Sequence, residues 1–509
     1  MLSRMIRNPA TAPKLPPTIR QGILNLPGTT PESKLVAEGL LEKDRETHHC
    51  FFGRIGFHNH LSHHLLAAYD LGAPPGLLQK IYDREAPGQS DINVWERRTG
   101  TFEAVHETIT NENWTRFLGD ERYYLSYLDF FTKKISEQGV GDILEKYVFS
   151  ETANGNEAYM VLRFVGGAVH PLIQTGYGVE FGSDVMVGQA LAQTAVHDAF
   201  YPEVFDLVNA PPSLQNLDYK SGNTTQRRPH KGHSLLSILR QAYDSDIMKP
   251  VMPYDSDALL SARFKSALAD GTRGPEIRRL SALWQVDTSR GQAELDEKVE
   301  ELLWATTLLL VGSGKRGRKP RLDFFLMHML NASLFVPSLL RAIPSVESKA
   351  AFLRAIPPVL LMYLIVRGRP RIDAELAMSY TDVPCPPNTP VPEPHSDAIG
   401  DPRDARDHNP WTDIVADVLH APDAHTLKAV RALYYASRMY GRTPHGAVIG
   451  AFDTEGRETH PGIAKVDGTL FARAAGVVMD TLGWVTHGQK EGGWDRSALG
   501  WEDAWKDGE

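Results

Sequence analysis

A stretch near the middle of the chain is apolar on nearly every side, and it restricts the possible folds more than any other feature. Residues 322–342 carry Phe, Leu and Met at positions that a helix would present all round rather than on one face. A helix of this kind must be surrounded by other structural elements. Apolar side chains recur at helical spacing along much of the chain from about residue 36, and strands do not alternate with helices. We therefore predict an all-α fold around a central buried helix.

Two segments depart from the helical pattern. Residues 1–35 contain several prolines and lack the apolar core of a signal peptide, so we expect an extended N-terminal segment. Residues 368–411 are rich in proline and poor in aliphatic side chains, which predicts a long loop. The remaining pattern predicts a single large helical domain over residues 36–509, with this proline-rich insertion.

The charge and the cysteine content exclude several classes of protein. A formal net charge of −9 and the lack of a long basic tract argue against nucleic-acid binding. Two cysteines allow neither a disulfide framework nor a thiolate metal cage. The most apolar runs, residues 302–311 and 355–366, are shorter than the roughly 20 residues that a membrane-spanning helix needs. We expect a cytoplasmic protein with no membrane span, whose oligomeric state the sequence leaves open.

A glycine-containing segment has the spacing of a nucleotide-binding motif but lacks the neighbouring residues that such a motif needs. Gly312-Ser-Gly314-Lys-Arg-Gly317 has the spacing of the dinucleotide fingerprint, but Pro320 would fall in the first turns of the following helix. Arg316 stands where a phosphate loop needs Ser or Thr for magnesium. A redox function would therefore not use a recognisable organic-cofactor fold.

Nineteen histidines are many for this length, and two of them stand in strongly apolar surroundings. His328 lies within the central apolar stretch, and His170 lies between glycines and directly before Pro171. A buried imidazole needs a hydrogen-bond partner or a metal ion at its nitrogens. Each of the two is therefore either a satisfied core histidine or a metal ligand.

Two further segments carry possible ligands. His60 and His64 are four residues apart, a spacing that places two ligands on one helical face, although a polar surface cluster has the same pattern. His425 and Lys428 stand three residues apart after Asp423, a plausible helix N-cap. Lys428 is either a surface lysine or a ligand, because a neutral amine, or the carbamate that it forms with carbon dioxide, can bind a metal.

Five motifs in this order resemble the questin oxidase-like family, from about residue 50 to residue 485. They are His58-Asn-His-Leu-Ser-His-His, Gly167-Ala-Val-His-Pro, Gly176-Tyr-Gly-Val-Glu180, Asp323-Phe-Phe-Leu-Met-His and His425-Thr-Leu-Lys-Ala-Val-Arg431. The resemblance implies an oxygenase of fungal-type secondary metabolism that cleaves a ring of an anthraquinone-type polyketide. Oxygen from dioxygen would enter next to the quinone carbonyl, as in a Baeyer–Villiger or dioxygenase reaction.

The resemblance also implies a non-haem Fe(II) site. Its ligands would be His60, His170, His328, His425 and a carboxylated Lys428. Five ligands would leave one octahedral position for dioxygen.

The residues expected to position the substrate phenol or to move protons are Tyr177, His64, His197 and Glu180. Those expected in the substrate pocket are Gln174, where many relatives carry histidine, Asn59 and Asn331. Trp114, Tyr123, Phe325 and Tyr434 are either core residues or stacking partners for a flat substrate.

Three other functions stay open at this point. The first is a metal-independent Baeyer–Villiger oxidase that consumes NADPH, and NADPH is also a possible electron source for the iron enzyme. The second is a hydrolase with a carbamylated lysine and zinc, which would normally add an acidic ligand. The third is a helical binding protein without catalysis.

Overall fold

Helices form most of the described chain, which confirms the predicted all-α class. The computed structural model describes residues 18–206, 227–229, 231–388 and 392–506. The helices are α1 Pro31–Thr47, α2 Leu61–Asp70, α3 Pro75–Glu85, α4 Tyr124–Gln138, α5 Val140–Leu144, α6 Glu151–Asn154, α7 Met160–Phe164, α8 Gly166–Phe181, α9 Asp184–Val196, α10 Leu235–Asp244, α11 Leu260–Leu268, α12 Arg273–Ala282, α13 Gln292–Val311, α14 Phe324–Ser333, α15 Val336–Ala342, α16 Val346–Arg354, α17 Ile356–Val366, α18 Ala374–Ser379, α19 Pro410–Val418, α20 Ala424–Tyr440 and α21 Leu470–Val478.

Two antiparallel hairpins, which the sequence did not predict, accompany the helices. They pair β1 Phe51–Phe52 with β2 Phe57–His58, and β3 Val94–Arg97 with β4 Gly100–Glu103. In the first hairpin Phe51 lies opposite His58. This hairpin leads directly into α2, so it fixes the approach of the chain to His60.

The central helix of the prediction is α14, which packs against α8, α13, α17 and α20. The predicted continuous stretch 322–342 is nevertheless bent by 43° between α14 and α15. Pro337 lies in the first turn of α15. Because proline lacks an N–H and its ring collides with the carbonyl four residues earlier, one straight helix cannot run through it.

The second long apolar stretch comprises α16 and α17. Residues 346–366 together give 21 residues with the length and composition of a membrane-spanning helix, so the run is longer than the sequence prediction assumed. Within the protein, however, 83% of its most apolar window is buried, as in a core helix. Pro357 and Pro358 lie in the first turns of α17, where their missing N–H groups cost little.

The boundaries of the two irregular segments need correction. Helix α1 begins at Pro31, inside the predicted extended segment 1–35, because Thr30 and Ser33 form a reciprocal capping box. The predicted loop 368–411 contains α18, capped by Asp373, and ends where α19 begins at Pro410. Residues 1–17 and 389–391 of these segments lie outside the described residues.

The glycine-containing segment 312–317 forms turns between α13 and the distant start of α14. Arg316 is held there by Asp373 at 2.5 Å and by Glu375 at 2.9 Å. A helix does not follow the glycines directly, in agreement with the sequence argument against a nucleotide site.

Candidate metal centre

Four histidines from four parts of the chain meet in the interior. His60 is the N-cap residue of α2, and His170, His328 and His425 lie on α8, α14 and α20. One ring nitrogen of each lies within 4.8 Å of the corresponding nitrogens of the other three. These helices pack on one another, so the cluster belongs to the core of the fold.

The four imidazole rings form a closed circuit. The centroid of the His60 ring is 4.8 Å from that of His170, and that of His170 is 4.8 Å from His328. The His328 ring is 5.0 Å from that of His425, which is 4.5 Å from His60. The rings thus surround one common space, as the ligands of a single ion would.

Hydrogen bonds fix the direction in which three of the rings face. Each of them places Nδ1 against an oxygen that only accepts: His170 on the carbonyl of Gly167 at 2.5 Å, His328 on the carbonyl of Phe324 at 2.7 Å, and His425 on a carboxylate oxygen of Asp423 at 2.7 Å. Nδ1 must therefore carry the proton, and Nε2 presents its lone pair. Metal-binding histidines in proteins are held in this way.

Among the described residues, the Nε2 atoms of the four histidines have no hydrogen-bond partner outside the cluster. Those of His328 and His425 are buried and find no hydrogen-bond partner among the described residues. The Nε2 atoms of His60 and His170 lie 2.7 Å apart, which suits a shared proton that a metal ion replaces when it binds. Burial lowers the pKa of His60, His170 and His328 well below 6.5, and that of His425 to about 4. All four rings are therefore neutral at physiological pH, the state that binds metals.

Lys428 adds a fifth buried donor. It lies one helical turn after His425 on α20, is 2% exposed, and its Nζ has no hydrogen-bond partner in the described part of the chain. Burial lowers the pKa of this amine to about 7, although the charges of Asp423 and Glu85 oppose the shift. Its charge in turn lowers the pKa of His60 and His170, so it lies beside the cluster. Near neutral pH a large fraction of Lys428 is the uncharged amine.

An unusual backbone turn positions His170. Gly167, Ala168 and Val169 have φ values of +53°, +53° and +58°, in the left-handed region that a β-branched residue rarely adopts. The N–H of Ala168 donates to the hydroxyl of Tyr363 at 3.0 Å, which holds the turn in place. The turn brings the carbonyl of Gly167 to the Nδ1 of His170. Strain of this kind is commonly found at functional sites.

The four-residue spacing of His60 and His64 left open whether both are ligands, and the structure places only His60 in the cluster. His60 precedes α2 as its N-cap residue, and His64 turns its Nδ1 to the carboxylate of Glu85. His63 instead bonds through Nε2 to the side-chain oxygen of Gln174 at 2.5 Å. Gln174 therefore supports a histidine next to the cluster.

Other predicted residues hold the structure around the cluster. Asn59 accepts from the N–H of Leu61 at 2.8 Å and donates to Asp44 at 2.9 Å, so it orders the start of α2. Asn331 directs its amide nitrogen to the sulfur of Met327, and its Oδ1 is buried without a hydrogen-bond partner among the residues that the structure describes.

Glu180 and Tyr177 lie at a second buried group, which is centred on a guanidinium. Arg431 forms ion pairs with Glu180 and Asp70, and all three side chains are at most 3% exposed. The ring of Tyr177 stacks on His63 and lies 5.6 Å from the guanidinium of Arg431. Glu180 is thus an ion-pair partner, and a proton-transfer role for it is not supported by this position.

His197 ends a stack of three imidazoles. The ring of His58 lies 4.0 Å from His170 and 5.3 Å from His197, with 4° between the ring planes in both pairs. The Nδ1 of His197 contacts the carbonyl of Asp198 at 2.9 Å. Gly167 makes room for the stack, because a Cβ there would lie 2.1 Å from the Nε2 of His197. His197 therefore supports His170 through His58.

The aromatic residues nearest the cluster are partly different from those predicted. Trp114, Tyr123 and Tyr434 pack on the rings of Tyr147, Phe117 and Trp411. Phe325 stacks at 6.4 Å from His328. The closer ring is Phe324, at 4.7 Å from His328 and 4.8 Å from His425, and the guanidinium of Arg496 lies 4.1 Å from the centre of this ring. The sequence separation of Arg496 from α14 concealed this contact.

Comparison with known proteins identifies similar chains. Residues 57–433 match the family described as questin oxidase-like. A Baeyer–Villiger oxidase of Paecilomyces divaricatus is 26% identical over 438 residues, or 86% of this chain and 85% of the relative. A questin oxidase of Aspergillus fumigatus is 29% identical over 64% of this chain and 68% of the relative. A Baeyer–Villiger monooxygenase of Cryptosporiopsis sp. is 25% identical over 86% and 88%. The four clustered histidines and Lys428 lie inside the matched segment.

Proposed function

The chain belongs to the questin oxidase-like family and is an oxidoreductase, and we propose that it cleaves a ring of an anthraquinone-type polyketide with dioxygen at a non-haem iron site. The observation that carries the proposal is the convergence of four histidine nitrogens beside a buried lysine amine. The names of the similar proteins support the substrate class, since one is a questin oxidase and two are Baeyer–Villiger enzymes.

The donor set fits a divalent transition metal. Its members are the Nε2 atoms of His170, His328 and His425, a ring nitrogen of His60, and Lys428. Imidazole nitrogens suit iron, and a lysine carbamate would add one negative charge against the two positive charges of Fe(II). When bound, the iron supplies the activation of dioxygen, which by itself reacts slowly with closed-shell organic molecules.

The chain's own groups prepare this site. The oxygen partners of the three Nδ1 atoms keep the rings in one tautomer, so that no rearrangement is needed before a metal binds. Burial keeps the imidazoles unprotonated. The lowered pKa of Lys428, about 7, supplies the neutral amine that attacks carbon dioxide to form the carbamate, with release of one proton.

The proposed reaction inserts oxygen between a ring carbon and the adjacent quinone carbonyl carbon. If one atom of dioxygen is inserted, the product is a lactone, and the other atom leaves as water after accepting two electrons and two protons. NADPH is the proposed source of those electrons. If both atoms are retained in the product, no external reductant is consumed. Turnover under isotopically labelled dioxygen, with NADPH oxidation followed in parallel, distinguishes the two stoichiometries.

Elemental analysis of the purified protein tests the metal assignment. We expect stoichiometric iron in the wild-type protein and its loss in His328→Gln. His460→Gln is the matched control, because His460 is equally buried and also has an unpartnered Nε2 within the described chain, but packs on Tyr243 outside the cluster. A metal-free preparation that retains full activity and depends strictly on NADPH would refute the iron proposal. Stoichiometric zinc with hydrolytic activity would favour the carbamylated-lysine hydrolase.

Labelling with 13C-bicarbonate tests the role of Lys428. We expect a carbamate carbon resonance in the wild-type protein that is missing from Lys428→Ala. This variant is expected to lose activity and to recover part of it when a short carboxylate and ferrous iron are added, because the carboxylate can occupy the space of the carbamate. An active Lys428→Ala variant without added carboxylate would contradict the assignment.

A further inference from the structure

A small apolar cavity lies beside the histidine cluster. It lies between α8, α14, α15 and α17, and its volume is about 10 Å³. No lining residue is more than 6% exposed. The cavity therefore has room for one small molecule inside the core.

The lining offers nothing that would hold water. Val, Leu, Met, Ile and Ala side chains form nearly all of it, including Leu172, Ala332 and Val359. The polar residue of the lining is Ser333, whose hydroxyl already donates to the carbonyl of Met329 at 2.8 Å. A buried water needs two to four polar partners, whereas apolar cavities stay dry and bind apolar guests such as xenon. The ligand that matches this lining is a small apolar gas.

The position of the cavity links it to the cluster. Val169, which lines the cavity, directly precedes His170, and Met329 directly follows His328. Successive residues of a helix point about 100° apart, so α14 directs His328 to the cluster and Met329 to the cavity. Val169 lies in the left-handed turn that leads into His170. A gas molecule in the cavity therefore lies beside the backbone segments that carry His170 and His328.

We propose that this cavity is a binding site for dioxygen, from which the co-substrate enters the histidine cluster. The inference rests on the proposed function, since an enzyme that consumes dioxygen in a buried site benefits from an apolar compartment where the gas is more soluble than in water. The cavity is distinct from the binding site of the organic substrate, because it is too small for an aromatic ring system.

Xenon tests the cavity independently of turnover. Diffraction from crystals of the full chain under xenon pressure is expected to show the gas between Val169, Ala332 and Val359. Ala332→Val is expected to abolish this density by filling the space. A cavity that stays empty under xenon overturns the proposal, whether or not the protein is an oxygenase.

Oxygen kinetics test the role of the cavity. Ala332→Val is expected to raise the KM for dioxygen about threefold or more, while the KM for the quinone and the kcat at saturating dioxygen stay within twofold of wild type. Val359→Ile, which adds a single methylene, is the milder second variant if Ala332→Val folds poorly. Ala305→Val on α13 is the control, because Ala305 is fully buried but does not line the cavity.

The two proposals fail in different ways. An unchanged KM for dioxygen in a folded, active Ala332→Val protein overturns the proposed role of the cavity and leaves the proposed function standing. A protein that consumes no dioxygen with any quinone refutes the proposed function, and with it the delivery role. The xenon experiment still decides in that case whether the cavity is a gas site.

Discussion

One carboxylate oxygen of Asp423 accepts hydrogen bonds from both the backbone N–H and the Nδ1 of His425, at 2.8 and 2.7 Å. The same atom thus caps the first turn of α20 and sets the tautomer and orientation of a candidate ligand. Helix start and site geometry are therefore coupled through a single side chain.

We predict that Asp423→Ala weakens metal binding about 10- to 100-fold, since the supporting partners of ligand histidines contribute that much. Titration of the metal-free protein with ferrous iron measures the effect. Asn409→Ala is the matched control, because Asn409 caps α19 by accepting from the N–H of Trp411. Both variants should lose about 1 kcal/mol of stability from the missing cap. Equal iron affinities in the two variants would show that Asp423 is merely a cap.

Glu180 gives a prediction that separates structure from catalysis. We expect Glu180→Gln to lower the free energy of unfolding by about 3 kcal/mol, because Arg431 would lose one of its two buried partners. Iron stoichiometry should remain that of the wild type. Glu96→Gln, at the exposed pair with Arg54, should leave stability unchanged within error. Chemical denaturation measures the stability of both variants, and elemental analysis measures their iron content. A stable but inactive Glu180→Gln protein would show that Glu180 takes part in catalysis.

Gly167 is predicted to tolerate no side chain. A Cβ would lie 2.1 Å from the Nε2 of His197 and 2.8 Å from the Cε1 of His58, at a φ of +53°. Gly167→Ala should therefore cost clearly more than Gly271→Ala, where φ is +71° but nothing lies within 4 Å of the Cβ position. The control should cost about 1–2 kcal/mol for the left-handed conformation alone. Thermal unfolding compares the two, and equal losses would show that the histidine stack can move aside.

The buried His460 predicts a pH effect away from the cluster. Burial lowers its pKa from 6.5 to about 3 in the folded protein. Between these values the unfolded chain binds a proton that the folded chain does not, so stability falls as the pH falls below about 6.5. In His460→Gln the slope of unfolding free energy against pH should be shallower by up to about 1.4 kcal/mol per pH unit between about pH 6 and 4. Urea denaturation at several pH values measures both slopes, and identical slopes would contradict the lowered pKa.

Local patterns predicted the parts of this structure that depend on neighbouring residues. The all-round apolar character of α14 follows from side chains three and four residues apart, and the start of α20 follows from Asp423 as an N-cap. The motif resemblance also selected the four histidines that the structure brings together. The bend before α15 was missed, although Pro337 in the sequence signals it.

Long-range packing decided the rest of the site. The spacing of His60 and His64 did not show that only His60 would join the cluster. His60 lies before α2 begins, and the partner of His64, Glu85, comes from another helix. Glu180 lies in one of the five family-like motifs, yet its carboxylate forms an ion pair with Arg431, some 250 residues away. Such pairings depend on which helices pack together, and the periodicity of side chains within one segment does not indicate which helices these are.

Residue patterns within short segments define a helical protein with an apolar centre and histidines in places where burial is costly. They do so because helix formation and side-chain polarity are properties of short segments. Packing of the chain sets which nitrogens face one another, through the left-handed turn before His170 and the contacts among α2, α8, α14 and α20. Ligand geometry requires atoms from distant segments to meet within a few ångströms, and only the packed core specifies distances of that kind.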